Sequence, residues 1–276
     1  MGERLFKYHG LGNDFVVLDR RSSGQDIGPA EAVQLCDRRR GVGADGVLVL
    51  LPSPGAAARM VVHNADGSVP EMCGNGIRCA VKYLVDLGLE HPPFLEMDTG
   101  AGRLRCDVAY DEDGAVSEVE VSMGPALLQA PSLPGGHQPF IRRELPGFPG
   151  VQGTAVSMGN PHLVLFDRPG SEAATLGPRL EAHPLFPDRT NVEFVEQLSA
   201  REVRIVVWER GVGLTQACGT GACATAAAGV VEKRLPAGEW ITAHLPGGPL
   251  QVRVAEDLSE VRMRGPAEFV FMARRD

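Results

Sequence analysis

Cys73-Gly-Asn-Gly-Ile-Arg-Cys-Ala80 and Cys218-Gly-Thr-Gly-Ala-Cys-Ala-Thr225 are the two stretches on which the reading of this chain turns. Each sets a cysteine before Gly-X-Gly and then enters a helical run. After Cys73, the apolar residues Ile77, Ala80, Val81, Leu84 and Val85 recur at helical spacing, and Gly88 is a natural stop. After Cys218, residues 222–231 are small and apolar on all sides, which suits a helix enclosed by strands. The two cysteines are 145 residues apart, and the same spacing relates Arg59-Met-Val-Val-His63 to Arg204-Ile-Val-Val-Trp208. Upstream, Gly12-Asn13 echoes Gly159-Asn160 at a spacing of 147. One α/β unit therefore occurs twice.

The fold class expected is α+β: two pseudo-symmetric α/β domains, each a mostly antiparallel sheet wrapped around a central helix, with the active site in the interdomain cleft. Alternation of period two is clearest at 116–123 and 250–254. A helical stretch at 31–38 leads through Gly41-Val-Gly-Ala-Asp-Gly46 into a strand at 47–51. The boundary is expected near residue 123, where the Pro- and Gly-rich stretch 125–153 begins. The halves are then 1–122 with 267–276, carrying Cys73, and 123–266, carrying Cys218.

The chain has 276 residues, 43% hydrophobic and 22% charged, the composition of a globular protein large enough for two cores. A net charge of −8 with no basic tail makes nucleic acid and anionic membrane poor partners. The N-terminus lacks an apolar leader, and the apolar runs are far short of a membrane span, so a cytoplasmic location is expected. With no secretory signal and no N-x-S/T site, the six cysteines read as reduced thiols. Lys7, Lys82 and Lys233 are the only lysines, which leaves few candidates for a Schiff base and disfavours a pyridoxal phosphate racemase.

A cysteine opening a helix has a chemical use. The unpaired N–H groups and the dipole at that end favour a thiolate, lowering its pKa toward neutrality. The same N–H groups can hold a ligand carboxylate, and the glycines permit close approach. Two such thiols facing one carbon can take a proton from one side and return one on the other, which is the chemistry of a two-base racemase or epimerase. Cys36, Cys79, Cys106 and Cys223 read as core residues. A zinc site from Cys73, Cys79, Cys218 and Cys223 would have spacings unlike the usual knuckle, so no metal is expected. A thiol switch in which Cys73 and Cys218 join the domains is the reading from a different class, and oxidation of that pair is expected to inactivate an enzyme. Gly41 to Gly46 matches a dinucleotide fingerprint in the wrong strand-helix order; Gly219-Thr-Gly-Ala-Cys-Ala224 matches a variant, but Glu239 precedes the next strand instead of ending it.

His9-Gly-Leu-Gly-Asn-Asp-Phe15, Asn64-Ala-Asp-Gly-Ser68, Met72-Cys-Gly-Asn-Gly76, Ser157-Met-Gly-Asn-Pro-His162, Trp208-Glu-Arg-Gly211 and Gln216-Ala-Cys-Gly-Thr-Gly-Ala-Cys223 together resemble the diaminopimelate epimerase family, in order from residue 5 to about 270. The resemblance implies cofactor-independent interconversion of LL- and meso-2,6-diaminopimelate in lysine and peptidoglycan-precursor synthesis. It implies that Cys73 and Cys218 are the acid/base pair and that Gly74, Asn75, Gly219 and Thr220 hold the reacting carboxylate. By the same resemblance Asn13, Asn64, Asn160, Asn191, Glu209 and Arg210 bind substrate, and His162 with Glu209 tunes the thiols. It also places the final strand, 268–272, with the first half, and the family tends to homodimers. Gly46 stands where some members carry Gln, and His63 where an aromatic is common, a packing change. A racemase of proline or hydroxyproline on the same fold is the alternative; Glu209 and Arg210 would lack a task on such a one-headed substrate.

Overall fold

The computed structural model describes residues 2–70, 72–88, 92–134 and 138–275, so residues 135–137 of the 125–153 stretch lie outside it. The chain splits into two compact units, Met1–Val121 with Arg264–Asp276, and Ser122–Met263.

In the first unit β1 (Glu3–Gly10), β2 (Asn13–Asp19), α1 (Pro29–Cys36), β3 (Gly46–Leu51), β4 (Ala58–Asn64), α2 (Gly74–Asp86), β5 (Phe94–Thr99), β6 (Gly102–Tyr110) and β7 (Val116–Ser122) follow in order. The pairs β1–β2, β3–β4, β5–β6 and β6–β7 are antiparallel. The pairs β2–β3 and β4–β5 are parallel. Parallel neighbours need a crossover, and α1 and α2 supply these two. The strand β3 reads Gly-Val-Leu-Val-Leu-Leu and is buried on both faces. Outside it, Ala32, Leu35 and Cys36 of α1 pack with Val47 and Val49. Inside, α2 rests on β1 to β4 and is buried except at Lys82 and Asp86. Gly88, at φ +73°, ends that helix as its left-handed cap.

The second unit repeats the plan with β8 (Arg143–Glu144), β9 (Gln152–Ser157), β10 (Pro161–Phe166), α3 (Ala173–Glu181), β11 (Asn191–Gln197), β12 (Glu202–Glu209), β13 (Gly213–Leu214), α4 (Gly219–Val231), β14 (Trp240–Leu245), β15 (Gly248–Val254) and β16 (Val261–Gly265). Again β9–β10 and β11–β12 are antiparallel, while β10–β11 and β12–β14 are parallel across α3 and α4. The helix α4 packs on β9, β10, β11 and β15, and only Thr220, Val230 and Val231 escape full burial. Its small side chains let strands approach it all round.

The last strand, β17 (Glu268–Arg275), lies antiparallel to β1 and runs three residues beyond the expected 268–272, because Ala273 to Arg275 continue the ladder opposite Leu5 to Glu3. α1 stops at Cys36, short of the expected residue 38. The Asp37 carboxylate accepts from the N–H groups of Arg39 (2.8 Å) and Arg40 (2.9 Å), an Asx turn that competes with the helix. The stretch after residue 125 does more than link: Leu133, Phe140, Leu145 and Val151 enter the core of the second unit. Among the described residues no helix is long and apolar enough to cross a membrane, and no group of His, Cys, Asp or Glu is arranged to hold a metal.

Candidate active site at two cysteine helix starts

Cys73 is the N-cap of α2 and Cys218 of α4. Both are extended, at φ −137° and −123° with ψ 109° and 107°, and each Sγ accepts the N–H of the second glycine, Gly76 or Gly221, at 3.4 Å. The sulfur fills the role that serine or aspartate usually plays at a cap. The Gly-X-Gly requirement is steric at its second glycine. A Cβ on Gly76 would lie 2.9 Å from Leu48 Cδ2 and 3.4 Å from the Cys73 sulfur. On Gly221 it would lie 2.9 Å from Glu193 Oε1 and 3.2 Å from the Cys218 sulfur.

Around Cys73 the structure gathers Asn13, Gly74 and Asn75. Asn75 is buried and donates from Nδ2 to Asn13 Oδ1 (3.0 Å), while Asn13 Nδ2 donates to Asp45 (2.9 Å). Arg78, fully buried one turn into the helix, donates to the Gly74 carbonyl (3.1 Å), Asn75 Oδ1 (3.0 Å) and the Pro266 carbonyl (3.2 Å). Asn64 ends β4 and donates to Ser68 Oγ (2.9 Å) within its own turn. Its ladder partner is Gly46, where a Cβ would come 2.9 Å from the His63 carbonyl and 3.3 Å from the Phe15 ring. His63 is buried, with Nε2 3.0 Å from Asp26.

Around Cys218 stand Asn160, His162, Glu209 and Thr220. Thr220 Oγ1 is 3.6 Å from the sulfur and accepts from Asn160 Nδ2 at 3.4 Å. Asn160 Oδ1 meets His162 Nε2 at 3.0 Å. His162 lies on β10, fully buried. Glu209 accepts from Thr215 Oγ1 (2.6 Å), and its charge acts on the Cys218 thiol. Burial pushes its carboxyl above the ordinary range despite the bond from Thr215. Asn191 accepts the Arg210 N–H (2.9 Å) and donates to the Pro161 carbonyl (2.9 Å), so its amide fixes the β10–β12 end of the sheet. The exposed Arg210 guanidinium reaches the Asp188 carbonyl (3.0 Å).

One expectation is corrected here. The helix start does not bring Cys218 toward neutrality: its thiol is pushed well above its ordinary value. Burial is the first cause and the Glu209 carboxylate the next; the Thr220 and Gly221 donors only partly offset them. A helix dipole at one thiol is smaller than desolvation plus a nearby acid. Cys79 and Cys106, as core thiols, are pushed up by burial to about 12, and Cys36 to about 11.

Two residues escaped the sequence reading. Glu193 is fully buried on β11, 2.7 Å from His162 Nδ1. Its signal is a lone acid inside the apolar run Val192 to Val195. Arg78 was visible only as part of a motif, with nothing local to show that a cation would sit beneath the helix start.

A duplicated unit in which each buried helix opens on a cysteine is the arrangement expected of a racemase or epimerase. The family model for diaminopimelate epimerase matches residues 5–128 and 154–270. The chain is 49% identical over 272 residues to the diaminopimelate epimerase of Desulforudis audaxviator and 44% identical over 277 residues to that of Heliobacterium modesticaldum, with 96% of each chain covered in both comparisons. Among solved structures it is similar to a phenazine biosynthesis protein of the PhzF family from Bacillus anthracis, with TM-score 0.73 at 17% identity, covering 99% of both chains. A hydroxyproline epimerase from Agrobacterium vitis gives TM-score 0.73 at 17% identity, covering 99% of this chain and 90% of the other. The chain belongs to the diaminopimelate epimerase family, and it is an isomerase of the epimerase type.

Proposed function

We propose that the chain interconverts LL- and meso-2,6-diaminopimelate by two-base proton transfer at Cα, with Cys73 and Cys218 as the acid/base pair. The observation that carries this reading is the duplicated cap: two cysteines of near-identical backbone conformation, each at the start of a buried helix, in a chain of this family. One sulfur, as thiolate, takes the Cα proton, and the electron pair of the broken C–H bond moves toward the carboxylate. The other, as thiol, returns a proton to the opposite face, and the roles exchange in the reverse direction. Both reagents are side chains of this protein, so the step needs no cofactor.

The first N–H groups of a helix lack partners within it. In this reading those of Gly74 and Asn75, and of Gly219 and Thr220, hold the reacting carboxylate as negative charge builds on it. Asn13, Asn64, Asn160 and Asn191 line the substrate, while Glu209 and Arg210 serve its distal ammonium and carboxylate. His162 and Glu209 set the protonation of Cys218. Each half of the enzyme, 1–122 with 267–276 and 123–266, supplies one thiol. The protein works in the cytoplasm, where its thiols stay reduced, and forms a homodimer; Phe269, Val270, Phe271 and Met272, about half exposed along β17, are the apolar surface that supports this.

The test is proton NMR of the reduced protein with LL-diaminopimelate in D2O. Loss of one α-hydrogen signal as the meso isomer accumulates is the expected result. Exchange only with proline or hydroxyproline would move the assignment to another substrate, and no exchange with any amino acid would favour a thiol switch.

A further inference from the structure

The side chains behind Cys218 form one connected chain of hydrogen bonds. Glu193 Oε1 lies 2.7 Å from His162 Nδ1, His162 Nε2 3.0 Å from Asn160 Oδ1, Asn160 Nδ2 3.4 Å from Thr220 Oγ1, and Thr220 Oγ1 3.6 Å from Cys218 Sγ. Glu193 and His162 are both fully buried, and among the described residues the second oxygen of Glu193 has no hydrogen-bond partner. Glu209 also faces the cluster and is an acid as well. A lone carboxylate charge there would be costly, so the Glu193–His162 pair is neutral as a whole.

Neutrality fixes the direction of the chain. The pair is either carboxylate with imidazolium or carboxylic acid with neutral imidazole. In the first, both ring nitrogens carry hydrogen; in the second, the acid donates to Nδ1 and the ring hydrogen is on Nε2. Both place a proton on Nε2. His162 then donates to Asn160 Oδ1, the Asn160 amide donates to Thr220 Oγ1, and the Thr220 hydroxyl is left to donate to sulfur. We propose that Glu193 is a positioning residue of the Cys218 half-site: it keeps the His162 proton on Nε2 and so aims the Thr220 hydroxyl hydrogen at the Cys218 sulfur. This rests on the reading of Cys218 as a catalytic thiol.

The test uses the full-length reduced protein without substrate, so it can fail independently of the substrate assignment. Iodoacetamide labelling of Cys218 is followed against pH by mass spectrometry, with Cys73 as internal control. In Glu193→Leu only an asparagine amide, which can turn over, is left to choose the His162 tautomer. Cys218 labelling should slow about tenfold at a fixed pH on its rising limb, as the whole profile moves up by about one pH unit, with Cys73 unchanged. Glu193→Gln, whose amide can donate to Nδ1, should restore the wild-type profile. Nitrogen-15 NMR of histidine-labelled wild-type protein should show His162 protonated on Nε2 at every pH at which the protein is folded, a reading that holds even if the Leu variant fails to fold. Unchanged labelling in folded Glu193→Leu, equal displacement of the profile in the Leu and Gln variants, or a bare Nε2 would each overturn the proposal.

Discussion

The two halves share a backbone plan and differ in what they place beneath the cysteine. Aligning the repeats through their strands sets Phe15 against His162, Leu48 against Glu193, Asn64 against Glu209, and Arg78 against Cys223. The first half thus puts an aromatic ring, an aliphatic chain, a neutral amide and a buried cation where the second puts an imidazole, two carboxyls and a small apolar residue. Duplication copied the geometry of the cap, a sulfur 3.4 Å from a glycine N–H, and left its electrostatics free to diverge. Two identical thiols would have no reason to differ in protonation. A buried thiol backed by an acid holds its proton.

The largest expected effect removes the symmetry altogether. Cys73→Ala or Cys218→Ala should each lower epimerisation by about a thousandfold or more, since inversion needs both faces, as measured by appearance of the meso isomer. Near-normal turnover in either would break the comparison at its root.

A charge cluster peculiar to the first half comes next. Asp14 is 2.6 Å from buried Lys7 and 2.7 Å from Arg38, and Lys7 also donates to the Gly43 carbonyl, whereas the repeat places Pro161 at this point. Burial opposes ionisation of Asp14, but the hydrogen bonds from Arg38 and Lys7 outweigh it and hold the carboxyl well below the usual range. Because the folded pKa is depressed, the stabilisation is complete above the unfolded value of about 4 and is lost as pH falls toward the folded one. Asp14→Asn, leaving Lys7 buried beside a neutral amide, should cost about 3 kcal/mol in denaturant unfolding at neutral pH, and less as the pH is lowered below about 4.

Giving the second half the residues of the first sharpens the contrast. His162→Phe with Glu193→Leu should stay folded, because the fold already carries this pair at the equivalent place, yet turnover should fall about a hundredfold. Wild-type turnover in that variant would mean the divergence beneath the two helices has no chemical consequence. In the unmodified protein without substrate, iodoacetamide near neutral pH should label Cys73, partly exposed, before Cys218, buried and pushed up. The reverse order would invert the electrostatic contrast. Cys79→Ala, inside the first helix and away from the sulfur that caps it, should cost only about 1 kcal/mol in thermal or denaturant unfolding and leave turnover intact.

Much of this molecule is legible in the order of its residues. The repeat, the two helices and their opening cysteines follow from local pattern: Ile77, Ala80, Val81, Leu84 and Val85 at helical spacing, a small-residue run after Cys218, and Gly-X-Gly after each cysteine. The side chains meeting at each thiol are visible there as types and not as partners. Nothing near Asn191 in the chain shows that it grips the backbone of Arg210, and the dipeptide Glu209-Arg210 looks like a solvated pair until β12 and β13 carry the acid inside. Sequence by itself determined where the helices begin and which sulfurs cap them, because helix periodicity and capping are contacts among residues a few positions apart. Only the tertiary structure decided that Cys218 sits over Glu193, His162 and Glu209 and that Arg78 lies under Cys73. Burial and charge sum over residues that strand pairing brings together from distant parts of the chain, and at Cys218 that sum outweighs the local helix dipole.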